Sequence, residues 1–184
     1  CLIYLPRRVD AVTPVESGLH DAQVYDVSVA AADGLPLHGW FVPAGGAVCT
    51  NKEDFDTHLA SGRPVAVLFS TLDVDALIFD YRGYGNNSGS PSEAALISDS
   101  QAIWRYLTDG RDVAPERIIV FGESLGGGVA TQLAAYASRQ GETPRALVLQ
   151  ATFSSLVDAA GYHYPWLPVR WLMIDRFESA AAMP

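Results

Sequence analysis

Arg117-Ile118-Ile119-Val120-Phe121-Gly122-Glu123-Ser124-Leu125-Gly126-Gly127-Gly128-Val129 carries the strongest structural signal in the chain. Ile118 to Phe121 is an apolar run of strand length, and an alanine-rich helix is expected over 129–139, stopped at Gly141. Between them, Gly122-Glu123-Ser124-Leu125-Gly126 fits G-x-S-x-G. A serine in so sharp a strand-to-helix turn takes a strained backbone that lifts its hydroxyl clear of the sheet. Its neighbours must then be nearly without side chains, as Gly122 and Gly126 are. The following helix aims its first N–H groups at developing negative charge, which places the N–H of Leu125 as one oxyanion donor. The bare pattern arises by chance in roughly one chain in twenty of this length, so its weight comes from the strand before it and the helix after it. A turn that merely lets a helix pack on a sheet is the competing reading of Gly126-Gly127-Gly128. A dinucleotide- or phosphate-binding loop is a third, set aside because no Lys follows these glycines.

Working outward, apolar runs at 65–69, 76–81 and 146–149 read as strands covered on both faces. Ser90-Pro91-Ser92-Glu93 offers a cap at Ser90, a proline at the first helical position and a capping-box glutamate. Leu96, Ile103 and Leu107 then mark one face of a helix that Gly110 is placed to stop. Upstream, 24–29 and 35–42 read as two strands of a hairpin around Asp33-Gly34. The stretch 44–63 reads as a surface connection with at most one helical turn. This alternation predicts an α/β fold with a mostly parallel central sheet, helices on both faces and an N-terminal antiparallel hairpin.

The 184 residues suit a single domain. Twelve Lys and Arg against 21 Asp and Glu give a formal net charge of -9, and a surface that repels phosphate argues against nucleic acid as a partner. No window reaches the roughly 18 consecutive apolar residues of a membrane-spanning helix. Cys1 and Cys49 are too few for a disulfide framework or a cysteine zinc site, and both read as lone thiols. For Cys1 the second reading is a lipidated cysteine at the start of an anchored or exported chain.

Four segments in order, Leu35-Pro36-Leu37-His38-Gly39-Trp40-Phe41-Val42-Pro43, Asp80-Tyr81-Arg82-Gly83-Tyr84-Gly85, Pro91-Ser92-Glu93 and Gly122-Glu123-Ser124-Leu125-Gly126-Gly127, resemble the α/β-hydrolase superfamily. They most resemble its serine-aminopeptidase-like branch, which includes membrane-anchored acyl esterases and thioesterases. The likeness runs from about residue 24 to about residue 155. It implies that Ser124 is the nucleophile of an acyl-enzyme mechanism on an ester, thioester or amide. It implies a small-molecule or acylated substrate, no metal and no organic cofactor. The loop from Asp80 to Gly85 is expected beside the site, with an Asp80–Arg82 ion pair fixing it.

Two departures qualify the resemblance. The family follows the strand at 65–69 with a His-Gly motif that supplies a second oxyanion N–H, and then with a helix. Here Ser70 to Asp75 leave about half the dozen residues a parallel crossover needs. Either the two strands form a hairpin or a segment is missing there, and the missing segment is the expectation. The triad order in this fold is serine, acid, histidine. After Ser124 the chain offers Asp158, Asp175 and one histidine, His163, in positions that do not read as a triad. The C-terminal strands, with the base and its orienting acid, are therefore expected to be missing, and a non-catalytic hydrolase-like domain is the alternative reading. His20, His38 and His58 read as surface or packing residues, and Glu123 as a variable position within the motif. The apolar tail Tyr162, Tyr164, Trp166, Leu167, Val169, Trp171 to Ile174, with Arg170 and Arg176 interleaved, is expected as a helix over the sheet. Its second reading is peripheral membrane association or an acyl-pocket lining.

Overall fold

Alternation of buried and exposed residues along the strands sets which face of the sheet is filled. Val27 and Val29, Phe41, Leu77, Ile118 and Val120 all point to one face and are buried. The computed structural model describes residues 24–44, 47–61, 65–67 and 75–183. Its six strands are β1 (Tyr25–Ala30), β2 (Pro36–Val42), β3 (Val65–Val67), β4 (Asp75–Phe79), β5 (Ile118–Glu123) and β6 (Ala146–Gln150). They form one sheet in the order β1-β2-β4-β3-β5-β6. The β1–β2 hairpin is antiparallel, with Tyr25 opposite Phe41 and Ala30 opposite Pro36, and β2 runs antiparallel to β4. The other pairs are parallel.

The pairing of β3 with β4 is parallel, with Val65 opposite Asp75, so the hairpin alternative for these two strands does not hold. The link between them, and with it the expectation of a missing segment, lies outside the described residues.

Three helices fill the buried face. They are α1 (Lys52–Ala60), α2 (Glu93–Arg111) and α3 (Leu125–Arg139), and they contribute Phe55 and Leu59, Trp104 and Leu107, and Ala130, Leu133 and Ala137 to the core. Each large side chain buried here contributes roughly 1.5–3 kcal/mol of hydrophobic stabilisation. Cys49 is a free thiol in this core, and burial pushes its pKa up to about 11, with the Asp54 and Asp75 carboxylates adding to the effect.

Several local elements depart from what the sequence predicts. The stretch after β2 holds a nine-residue helix rather than at most one turn: Asn51 caps α1 by accepting from the N–H of Asp54 at 2.9 Å, and Phe55 and Leu59 anchor it. Helix α2 begins two residues later than expected, because Ser92, not Ser90, accepts from the N–H of Ala95. Glu93 makes no box with its own helix. Its carboxylate accepts from the N–H of Arg176 at 2.6 Å, while the Asp175 carboxylate accepts from the N–H of Glu93 at 2.8 Å. Gly110 does not stop α2, which runs on to Arg111 and closes at Asp112 in the left-handed conformation, φ 52°. Arg111 holds that last turn by lying over the Phe55 ring and pairing with Asp56.

The apolar tail departs from the expected single helix as well. In place of one helix over the sheet there are three short ones, α4 (Leu156–His163), α5 (Val169–Leu172) and α6 (Ser179–Ala182). Pro165 and Pro168 fall between α4 and α5 and forbid a continuous helix there. Val157, Val169 and Phe177 are buried, whereas Tyr162, Trp166, Trp171 and Ile174 face outward. Among the described residues no helix is long and apolar enough to cross a membrane.

The loop after β4 is tied down by Arg82, which is buried. Its Nε donates to Asp99 on α2 at 2.7 Å, and a second guanidinium N–H closes a bidentate pair with the same carboxylate. Its remaining arm reaches Asp33 in the β1–β2 turn at 2.7 Å. The expected Asp80–Arg82 pair is thus replaced by one arginine joining a hairpin, a loop and a helix. Arg82 holds the Asp33 carboxyl below its ordinary range. That contribution is present above the unfolded-state value of about 3.9 and is lost as the pH falls through the lower folded value. Asp99→Ala strands the buried guanidinium and should lower the unfolding free energy by about 3 kcal/mol. Asp33→Ala, at the half-exposed end, should cost much less. Urea unfolding of the two variants checks the ranking, and equal losses would contradict it.

Candidate active site

Strand β5 ends at Glu123 and helix α3 begins at Leu125, so Ser124 alone makes the turn between them. It does so at φ 50° and ψ -118°, a region L-residues seldom occupy. Such a residue costs about 1–3 kcal/mol and persists only where its surroundings hold it. Here the N–H of Ser124 donates to the carbonyl of Gln150 on β6 at 3.0 Å. The Ser124 carbonyl accepts from the N–H of Gly127 at 3.0 Å and from the Thr152 hydroxyl at 3.1 Å. The side chain is left at the surface, and among the described residues nothing hydrogen-bonds its hydroxyl.

The glycines divide between the two readings of the motif. A Cβ at Gly122 would lie 2.6 Å from the Gly127 Cα and 2.7 Å from the Ala130 Cβ, so only glycine lets β5 and α3 approach this closely. Gly127 and Gly128 serve packing, against Thr152 and Phe177. The N–H groups of Leu125 and Gly126 donate to no described residue, which leaves donors free at the start of α3 beside the serine.

Tyr81 comes from the loop after β4 and meets the same turn from the other side. Its ring joins an apolar cluster with Leu96, Val129 and Phe177, which Leu125, Phe153 and Leu156 border. Burial pushes its phenol up to about 12. The loop is braced by Asn87, whose Nδ2 donates to the Asp80 carbonyl at 2.6 Å and whose Oδ1 accepts from the N–H of His38 at 2.7 Å. Desolvation raises the Asp80 carboxyl above its ordinary value.

The candidates for a base and its acid do not assemble around Ser124. His163 ends α4, exposed, with its ring edge-on to Tyr162. Asp158 pairs with Arg170 at 2.9 Å, and Asp175 is spent on the start of α2. His58 packs beside Phe41, its Nδ1 3.8 Å from the buried Asp75 carboxylate. Glu123 is exposed, and His20 and Cys1 lie outside the described residues. Among the described residues, clefts of about 280 Å³ open at two places on the surface. One is lined by Ser155, Asp158, Arg170 and Arg176, the other by Asp26, His38, Trp40 and Asp80, and neither includes Ser124. Among the described residues no group of three His, Cys, Asp or Glu side chains is placed to hold a metal ion.

Comparison with known proteins bears on this arrangement. A model described as the alpha/beta hydrolase family matches residues 37–184. An uncharacterized protein of Mycobacterium tuberculosis is 42% identical over 161 residues, covering 84% of this chain and 54% of that protein. The alpha/beta hydrolase domain-containing protein WAV2 of Arabidopsis thaliana is 30% identical over 183 residues, 94% of this chain and 56% of its own. This chain therefore spans about half the length of these relatives. Among solved structures, an alpha-beta hydrolase from Vibrio vulnificus superposes with a TM-score of 0.65 at 21% identity, covering 92% of this chain and 62% of its own. The Pyrococcus furiosus esterase Pf2001 gives 0.57 at 20%, covering 96% and 66%. These two likenesses carry the fold.

The strain at residue 124 is measurable. Ser124→Gly relieves the positive φ, whereas Ser124→Ala keeps it. The glycine variant should exceed the alanine variant in unfolding free energy by about 1–2 kcal/mol. Denaturant unfolding checks this, and equal stabilities would mean that the turn is not strained in solution.

Proposed function

We propose that this chain, which belongs to the alpha/beta hydrolase family, carries a serine hydrolase site acting on an ester, thioester or amide through an acyl-enzyme at Ser124. The observation that carries the reading is the isolated positive-φ serine between β5 and α3, with its side chain outward and free N–H groups beside it. A fold that tolerates strain there and leaves no room for a Cβ at Gly122 or Gly127 has kept one hydroxyl accessible, which packing alone does not require.

In the forward step the Ser124 Oγ bonds to the carbonyl carbon as the carbonyl π pair moves onto oxygen, and the serine proton passes to a base. The oxyanion accepts from the N–H of Leu125. Collapse of the intermediate breaks the bond to the alkoxide, thiolate or amine, which leaves with that proton, and water then releases the acid. No described histidine is hydrogen-bonded to Ser124, and Asp158 and Asp175 are engaged elsewhere. That observation favours a second reading, a binding domain that keeps the turn without the activating base.

Hydrolysis of p-nitrophenyl acetate and butyrate separates the two. An ester is the first choice because the Pyrococcus furiosus neighbour is an esterase. With an active site at Ser124, turnover by the folded protein should fall at least a hundredfold in Ser124→Ala. Equal rates in the two folded proteins would leave the binding-domain reading.

A further inference from the structure

We propose that the hydroxyl of Tyr81 is the side-chain donor that joins the N–H of Leu125 in binding the oxyanion formed at Ser124. The assignment rests on the serine-hydrolase reading and names a further residue of that site. An oxyanion bound in place of a carbonyl needs fixed donors about 2.7–3.1 Å away, and more than one to be held in direction as well as distance.

Three observations bring Tyr81 to this position. Its Oη lies 3.0 Å from where a Cβ on Gly126 would stand. That puts the hydroxyl beside the first turn of α3, at a residue two positions along from Ser124 and next to Leu125, whose N–H is free. The hydroxyl also donates to no described residue, so its hydrogen bond is unspent, in contrast to the phenol of Tyr136, which accepts from Arg105, and that of Tyr106, which accepts from Arg111. Finally, the tyrosine is fixed on both sides. Its ring is packed with Leu96, Val129 and Phe177, and the next residue, Arg82, is clamped between Asp33 and Asp99. A donor held this firmly in an apolar setting needs no reorganisation when charge develops. Burial keeps it protonated across the working pH range.

The assignment also gives Gly126 a role of its own. A methyl group there would stand 3.0 Å from the Tyr81 hydroxyl and crowd it away from the first turn of α3, whereas Gly122 answers to the backbone of α3.

Tyr81→Phe removes the O–H and keeps the ring. With p-nitrophenyl acetate, kcat should fall about a hundredfold while KM stays within about twofold, the pattern of a donor used in the transition state and not in the ground state. A trifluoromethyl ketone, which forms a tetrahedral adduct with a reactive serine, should bind more weakly by the same factor. The unfolding midpoint should stay close to that of the wild type, since the packing is intact. A structural role alone would move the midpoint and leave the kcat of the folded protein and the ketone affinity unchanged, which would overturn the assignment. If the wild type has no Ser124-dependent turnover, the hydrolase reading fails and this assignment with it. If the wild type turns over and Tyr81→Phe keeps kcat within twofold, the assignment alone fails.

Discussion

The backbone of Ser124 is held at φ 50° between a strand and a helix that meet without a connecting loop. Left to itself that residue would relax into an ordinary conformation at a gain of about 1–3 kcal/mol. It does not relax because β5 is registered against β6 as far as Glu123 opposite Gln150, and the next N–H continues the ladder to the Gln150 carbonyl. The serine carbonyl is fixed by Gly127 and Thr152. Moving any of these partners would release the turn, and the sheet edge, the first turn of α3 and the segment after β6 therefore act on the site as one body.

A second constraint governs the loop that faces this turn. Arg82 reaches residues 17 and 49 positions away in sequence and joins the β1–β2 turn, the loop after β4 and helix α2 in one ion-paired knot. Because the buried guanidinium is paired with two carboxylates, Asp99 buried and Asp33 half-exposed, its geometry is stiff, and Tyr81 beside it is carried to the start of α3 with little freedom. The link from packing to chemistry runs through this pair of neighbours: one residue supplies rigidity and the other presents a polar group. The Asp175–Glu93–Arg176 exchange does the same for the tail, tying the segment after α5 to the start of α2 and placing Phe177 against Gly128.

The α/β class, the hairpin and the strand-to-helix turn at Ser124 are legible in the sequence because each depends on neighbours in the chain. Apolar runs of strand length and glycines two residues on either side of a serine carry their own meaning. What is illegible depends on distant partners. Nothing near Ser92 announces that its helix will be capped across 82 residues by Asp175, so the local box at Ser90 reads better than the one the protein forms. Asp80 is the nearest acid to Arg82 in sequence, yet the guanidinium turns to Asp33 and Asp99. Helix α1 shows only Phe55 and Leu59 as apolar signal, too little to separate it from a loop. Thr152 sits in no spacing that singles it out, and only the folded chain brings it to the serine; the loop that carries Tyr81 is expected beside the site, but nothing in the sequence shows that its hydroxyl comes to Gly126.

On the proposed function, Ser124 is more reactive than the other serines of the chain, exposed by its turn and set at the start of α3, where charge formed on it would be stabilised. Mass spectrometry after brief exposure of the folded protein to a fluorophosphonate tests this directly, with the adduct located by peptide mapping. One phosphonyl group on the peptide containing Ser124, lost when the protein is first unfolded in urea, is the predicted result. A folded protein left unmodified at Ser124, or modified equally at its other serines, would contradict it.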